Sequence, residues 1–492
     1  MEKMMMIYEK WSVIELSFPG KQEGNPFTDY DISGIFKCEK ESKTISGFYD
    51  GDGIYKIRFM PSFVGVYHYD VKGSFNEDCF TGDFQVEEAA EGNHGMVKVA
   101  NQYYFSYEDG TAYYPVGTTC YAWLFQKQEL RQQTLNTLKE GYFNKLRFCI
   151  FPKYYDFNRE DPELFPFERL DYDNQQEGAY QWDYTRFNPS YFEVFEEYIG
   201  ELMKLGIEAD IILFHPYDRW GFSKMPTEVN EAYLKYVIAR LSVYPNVWWS
   251  MANEYDIMSH VSTTDWEYYA KILVENDPYG HLRSIHNCGP FYDYTKPWIT
   301  HASIQRQDVY KCAEYTEEYR EKYGKPVVLD EIAYEGNFPY AWGNISAQEL
   351  VRRFWEATIR GGYATHGETY LTEDEVIWWS HGGTLHGESA ERIKFLKGIL
   401  EQVPGNGLKN VKYSWDEVVA CAEEEDNYKI FYYGFCRPSY RIFEYLEDEC
   451  RYHVEIIDTW NMTIHDMGVH EGKFRLTLPG KEYMAVRVRK IG

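Results

Sequence analysis

Val247-Trp248-Trp249-Ser250-Met251-Ala252-Asn253-Glu254 is an apolar run that passes without a break into a polar, acidic end. Pro326-Val327-Val328-Leu329-Asp330-Glu331 repeats the arrangement downstream. A strand of an all-parallel sheet is covered on both faces, so its body reads as continuous apolar sequence and only its C-terminal tip emerges. In a parallel barrel that tip is where chemistry is presented. Each run ends in a glutamate, which places two carboxylates at the ends of two such strands.

Outward from these runs the chain alternates strand and helix. Residues 113–117 form the expected first strand and 129–140 a helix stopped by Gly141; 145–151 is the second strand. Asn188-Pro189 supplies a cap and a first-turn proline to a helix with Phe192, Phe195, Ile199 and Leu202 on one face, ending at Gly206. The third strand is expected at 207–214, a helix at 232–241 and the fourth strand at 247–252. Residues 282–286, 299–304 and 326–329 follow as strands five to seven, with the eighth at 363–365 or, second in preference, 376–379. Eight such units predict an α/β fold, a (β/α)8 TIM barrel over 98–403. A doubly wound sheet would bring a glycine-rich phosphate turn after its first strand, and Gly117-Thr118-Thr119-Cys120 is no such turn.

The flanks change period. Tyr55-Lys56-Ile57-Arg58-Phe59 and Gly65-Val66-Tyr67-His68-Tyr69-Asp70-Val71 alternate with period two, and Asp50-Gly51-Asp52-Gly53 is a turn. Residues 1–92 are expected to be an immunoglobulin-like β-sandwich, with a linker at 87–95. Short alternating runs at 428–433, 452–457, 473–478 and 483–488 predict a second small β-domain over 405–492. The barrel is therefore expected between two small β-sandwich domains.

The 492 residues suffice for such a three-part chain. Fifty basic against 78 acidic residues leave a net charge of −28, which repels nucleic acid and anionic membranes and favours a neutral substrate. The 14 Trp, 46 Tyr and 30 Phe are mostly core, with a few free to stack on sugar faces. Nine cysteines, an odd number with no Cys-x-x-Cys pair, read as free thiols of a reducing compartment. The start, Met1-Glu2-Lys3-Met4-Met5-Met6-Ile7, has no apolar stretch of signal-peptide length, and no run is long enough to span a membrane. A cytoplasmic address is expected, with a homo-oligomer through the flanking β-domains open.

Two carboxylates facing each other across a barrel mouth suit glycoside hydrolysis. One must start protonated to donate to the leaving oxygen, the other ionised to attack the anomeric carbon, and like charges this close drive the two pKa values apart. Glu254 and Glu331 occupy these places. Here the chain resembles the (β/α)8 glycoside hydrolases of clan A, which carry Asn-Glu at the fourth strand as acid/base and a glutamate at the seventh as nucleophile. The resemblance implies Glu254 as acid/base, Glu331 as nucleophile and Asn253 as the asparagine on the sugar 2-hydroxyl. Arg147, in Phe143-Asn144-Lys145-Leu146-Arg147-Phe148, matches the clan's arginine that holds the nucleophile ionised. Segment 113–152 resembles the apiosidase-like glycoside hydrolases, which also carry an immunoglobulin-like N-terminal and a small C-terminal β-domain. Some of those enzymes have an aspartate where this chain has Glu254.

Substrate contacts are expected from polar and aromatic residues near other strand ends: His215, Asp218, His286, Gln305, His366, Glu368, Trp123 and Trp379. Each has a structural alternative, a local hydrogen bond or a place in the core. Asp330 reads as a buried neighbour beneath the site, and Glu335 and Glu368 as lesser nucleophile candidates. The expected activity is retaining hydrolysis, exo-acting on short neutral oligosaccharides or glycosides, without cofactor or metal. Insertions at 154–181 and 336–344 would wall off a pocket. Two rivals stay open: a metal-dependent barrel hydrolase using His215, His286, His301 and His366, although His-x-His after strand one and His-Glu-x-x-His are both missing, and a carbohydrate-binding barrel without activity.

Overall fold

The computed structural model describes residues 5–170, 180–422 and 427–491. Eight parallel strands form the central sheet: β1 (Val116–Thr119), β2 (Lys145–Cys149), β3 (Glu208–Phe214), β4 (Val247–Ala252), β5 (Arg283–Ser284), β6 (Ala302–Gln305), β7 (Val327–Glu331) and β8 (Tyr363–His366). They run β5-β4-β3-β2-β1-β8-β7-β6. A parallel bridge between His286 and Ser303 joins the two ends, so the sheet is a nearly closed barrel. Every residue of β2, β3, β4 and β7 is buried, which is why β4 and the body of β7 read as apolar runs, while β2 and β3 also carry charged residues of the barrel interior.

Helices α1 (Gln128–Leu138), α2 (Pro189–Lys204), α3 (Thr227–Leu241), α4 (Thr263–Asn276), α5 (Thr316–Tyr323) and α6 (Ala347–Ile359) intervene between strands, followed by α7 (Trp378–His381) and α8 (Ser389–Leu400). Pro189 opens α2 as its fixed φ allows, but Asn188 caps no helix amide; its side-chain amide donates to the Phe165 carbonyl at 3.0 Å. Residues 285–301, between β5 and β6, form no helix.

The first and fifth strands shift from their expected places, and the eighth lies at the preferred of its two positions. The first strand lies later than 113–117, because Ala112–Tyr113 instead pairs in a small antiparallel sheet with Val97–Ala100 and Tyr104–Tyr107. That sheet covers the barrel end opposite the strand tips, with Phe105 against Trp248 and Tyr363. The fifth strand shrinks to two residues, since the chain leaves the sheet where His286 turns toward the site. Residues 376–379 are not the eighth strand: they lead into α7, and 363–366 takes that place.

The barrel interior carries a charged layer beneath the strand tips. Lys145 Nζ lies 2.8 Å from both Asp210 and Asp330, and Ser303 and Thr365 donate to Asp330 at 2.5 and 2.8 Å. All five side chains are buried. The Lys145 and Arg147 charges, against the cost of burial, hold the Asp330 carboxyl well below the usual carboxylate range.

N-terminal to the barrel, a five-stranded and a three-stranded sheet share one core, with Phe36 stacked on Phe59 at 4.4 Å between ring centroids. A six-stranded sheet with a two-stranded companion, Tyr440–Phe443 and Phe474–Thr477, follows the barrel. Both flanks are therefore small and β-rich. Among the described residues no helix is long and apolar enough to cross a membrane.

A buried ion network ties the N-terminal sheets to α2 and α3. Glu196 accepts from Arg58 at 2.7 Å and from Arg240 at 2.5 Å; Arg240 also meets Asp50 at 2.6 Å. Removing the shared carboxylate leaves two guanidinium groups short of a partner in a dry interface. Glu196→Ala is expected to lower stability by about 3–5 kcal/mol, read as an earlier first transition in urea unfolding. A midpoint within error of wild type would show that the network contributes nothing net.

Candidate active site

Glu254 and Glu331 line one cavity of about 340 Å³ at the C-terminal mouth of the barrel. Its other walls include Lys153, Tyr155, Tyr217, Gln305, Gln307 and Trp379. A larger cavity of about 490 Å³ lies between the N-terminal sheets and α3, lined by Phe27, Tyr49, Phe187 and Tyr236, and contains neither glutamate.

Glu254, two residues beyond the end of β4, has φ 51°, in the left-handed region that a residue with a Cβ seldom adopts. Such a backbone persists only where its surroundings enforce it, and it turns the side chain from the strand direction into the cavity. The Tyr217 hydroxyl donates to Glu254 Oε2, and the Asn253 amide reaches the same oxygen at 3.3 Å. Glu331 ends β7. The Tyr121 hydroxyl donates to its Oε1, Gln307 Nε2 donates to its Oε2 at 3.3 Å, and His286 Nε2 lies 3.5 Å from Oε1.

Gln305, at the tip of β6, stands between the two carboxylates. In the amide orientation that satisfies both of its ends, its nitrogen donates to Glu331 Oε2 at 3.0 Å and to Glu254 Oε1 at 3.3 Å. The two oxygens are therefore no farther apart than the sum of these distances.

The environments divide the pair. Burial, then the neighbouring Glu331, pushes Glu254 above the usual carboxylate range, against the opposing pull of Lys153, Tyr217 and His286. Burial also acts on Glu331, but His286, Tyr121 and Lys153 outweigh it and hold this carboxyl below its ordinary value. The two environments thus push the proton affinities of the pair apart, Glu254 upward and Glu331 downward.

Arg147 is fully buried and does not hydrogen-bond Glu331. Its guanidinium donates to Asn253 Oδ1 at 3.2 Å, to Ser250 at 3.1 Å and to Asp210 at 3.4 Å. It orients the asparagine beside Glu254, while Tyr121, Gln307 and His286 take the place beside Glu331 that sequence assigned to the arginine. Asp330 points away into the charged layer. The structure thus brings Glu254, Glu331, Asn253, His286, Gln305 and Trp379 together, with Arg147 beneath them.

Five other expected contact residues serve elsewhere. Trp123 is fully buried, edge-on to Phe148 and Tyr198, and belongs to the core. Asp218 accepts the backbone amides of Trp220, Gly221 and Ser223, fixing the loop after β3. His215 Nε2 bonds the Phe151 carbonyl at 3.1 Å, and burial followed by Lys153 brings its pKa down to about 4. His366 stacks on Phe143 at 4.7 Å beside Thr118 and is pushed down to about 3 by burial. Glu368 takes the amides of His386 and Gly387, and burial lifts it to about 7. Glu335, a lesser nucleophile candidate, likewise accepts the amides of Glu388 and Ser389 ahead of and at the start of α8. Ligand atoms of Glu335, His366 and Glu368 lie within 4.8 Å of one another, outside the cavity that holds Glu254 and Glu331.

Sequence reasoning passed over Tyr121, Lys153, Tyr217 and Gln307. All four lie two to four residues beyond the ends of β1, β2, β3 and β6, so position alone would have found them.

Comparison with known proteins gives the site its context. The model of the apiosidase-like catalytic domain matches residues 99–423; two domains of unknown function, DUF5060 and DUF5605, match 7–74 and 415–489. A candidate glycoside hydrolase from Bacteroides vulgatus ATCC 8482 is 40% identical over 99% of this chain and 100% of its own, with a TM-score of 0.94. A structure described as a glycoside hydrolase shares the fold at 15% identity, covering 82% of this chain and 98% of its own with a TM-score of 0.62. Among curated proteins no match is found. The chain belongs to the apiosidase-like family of glycoside hydrolases.

Proposed function

We propose that the protein is a retaining, exo-acting glycosidase working on short oligosaccharides or glycosides, with Glu331 as nucleophile and Glu254 as acid/base. The observation that carries this reading is the single Gln305 nitrogen within reach of both carboxylates. Retaining enzymes hold their two carboxyls about 5–5.5 Å apart, whereas inverting ones leave about 6.5–9.5 Å for a water. A gap that one amide can bridge favours direct attack.

The steps follow from the two environments. Ionised Glu331 attacks the anomeric carbon while protonated Glu254 gives its proton to the departing oxygen. Esterification removes the Glu331 charge that helped raise the Glu254 pKa, so Glu254, now ionised, takes a proton from water as that water cleaves the ester. Exo action is supported by the size and walls of the cavity. Tyr155, Asp156 and Phe157 stand on one side and Trp342 on another, and Phe157 stacks on Phe338 at 4.0 Å to join the two loops. At about 340 Å³ it is near the lower end for ligand sites. Nine free cysteines support a cytoplasmic address, which suits small imported glycosides over polymers.

Glu331→Gln is expected to abolish turnover of aryl glycosides with folding intact. Glu254→Ala should lose roughly 10²–10⁴ in rate on glycosides with poor leaving groups yet still be glycosylated by a dinitrophenyl glycoside. Azide should then restore its turnover and yield a glycosyl azide with the substrate's own anomeric configuration. Failure of azide rescue, or an inverted product, would remove the retaining mechanism.

The pH–rate profile of kcat/KM checks the assignment of roles. Activity should rise with pH as Glu331 ionises and fall as Glu254 loses its proton. Tyr121→Phe deletes a donor that favours charged Glu331, so its pKa climbs and the acid limb moves to higher pH. A hydrogen bond to a charged group is worth about 1.5–3 kcal/mol, or about one to two pH units. Tyr217→Phe does the same to Glu254, so the alkaline limb moves to higher pH instead. Reversed responses of the two limbs would exchange the roles of the glutamates.

A further inference from the structure

Lys153 is the one cation lining the cavity among the described residues, and the mechanism above uses it only through its field on the two glutamates. It follows β2 through Phe151-Pro152 and is 2% exposed. Its ammonium lies 3.9 Å from the ring centroid of Tyr121, 4.4 Å from Tyr217, 4.9 Å from Tyr155 and 5.2 Å from Trp379. Three of these rings have their hydroxyls engaged, on Glu331, Glu254 and Ser380, and so turn faces rather than acceptors toward Nζ. Among the described residues Nζ makes no hydrogen bond and no ion pair.

That isolation sets it apart. Lys145, Arg58 and Arg240 are buried alike, and each meets a carboxylate within 2.8 Å. Taking an ammonium out of water costs several kcal/mol, of which each aromatic face returns about 0.5–2 kcal/mol. Three N–H donors stay unfilled. The glutamates act on Lys153 only through space, and the Glu331 charge is already met by Tyr121, Gln307 and His286. Burial holds the lysine below its ordinary pKa although Cys149, Glu254 and Glu331 oppose that shift. A bound anion would complete the coordination that the protein withholds.

Resting on the glycosidase reading above, we propose that Lys153 is a specificity residue that pairs with the carboxylate of a hexuronic acid ring bound against Glu254 and Glu331. A carboxylate fits better than a sulfate or phosphate, whose three terminal oxygens would find one ammonium and no guanidinium among the described lining residues. The overall charge of −28 argues for a neutral substrate, but it acts through solvent and is screened within about 10 Å. Inside the cavity the local cation decides.

The test compares nitrophenyl glycosides in congener pairs, hexoside against hexuronide, in the gluco, galacto and manno series and both anomers. Wild type should favour the uronide of its preferred series at least tenfold in kcat/KM, and Lys153→Met should remove that preference mainly through KM. Preference for the neutral congener overturns the proposal, as does a uronide-to-hexoside ratio unchanged in Lys153→Met, and preference for a 6-sulfated congener overturns the carboxylate. If no glycoside turns over, the hydrolytic reading fails separately, and saturation-transfer NMR with the free uronates and their neutral hexoses decides. Uronate binding by wild type that is lost in Lys153→Met upholds the proposal, and its absence in wild type overturns it. Thermal melting of Lys153→Met, with Lys153→Gln as second variant, separates misfolding from lost recognition.

Discussion

Two carboxylates buried within reach of one amide cannot both carry charge cheaply, and the barrel mouth is organised around that constraint. In a dry cavity the repulsion between like charges is far stronger than in water. The structure resolves it by asymmetry. Glu331 receives two donors and an imidazole, while Glu254 has a tyrosine, an asparagine amide and the field of its neighbour. Gln305 bridges the two without belonging to either. The two environments therefore draw the carboxyls' proton affinities apart, Glu254 upward and Glu331 downward.

Such asymmetry needs a rigid floor. Barrel interiors are usually filled with branched apolar side chains, but here Lys145, Arg147, Asp210 and Asp330 form a charged layer directly beneath the glutamates. Lys145 satisfies two aspartates at once, and Arg147 passes the layer's order upward through Asn253 to Glu254. Asp330 and Glu331 are adjacent on β7 and point to opposite ends of this arrangement, one into the floor and one into the cavity. The dipeptide is thus a joint between foundation and site.

The barrel was legible because period and length are properties of sequence: four strands are buried along their whole length and are mostly apolar, with charged residues only where the interior layer and the strand tips need them. The fifth strand was misjudged in length because two paired residues leave almost no periodic signal. Glu254 and Glu331 could be found from their places at strand ends. Partners chosen by angle rather than by position could not. Arg147 lies on the expected strand yet turns to Asn253, a matter of side-chain direction that spacing does not encode. Asp218, His366 and Glu368 lie at or just beyond strand ends as expected, but backbone amides and ring stacking claim them. A polar residue near a strand tip is available for substrate only if the backbone has not already used it, and that bookkeeping is three-dimensional.

The aromatic content shows the same division between composition and placement. Most rings build the cores, as their number implied. Tyr121, Tyr217, Tyr155 and Trp379 do something composition could not announce: together they enclose a lysine. Two of them act twice, holding the ammonium with their faces and the glutamates with their hydroxyls. Tyr121 and Tyr217 thus touch the glutamates and the cavity's cation at once. A change to either tyrosine acts on both, whereas a change to Lys153 alters the cavity's charge and leaves those hydroxyls in place. Lys153 reaches the glutamates only through space, so its loss would shift their titration without removing a hydrogen bond from either.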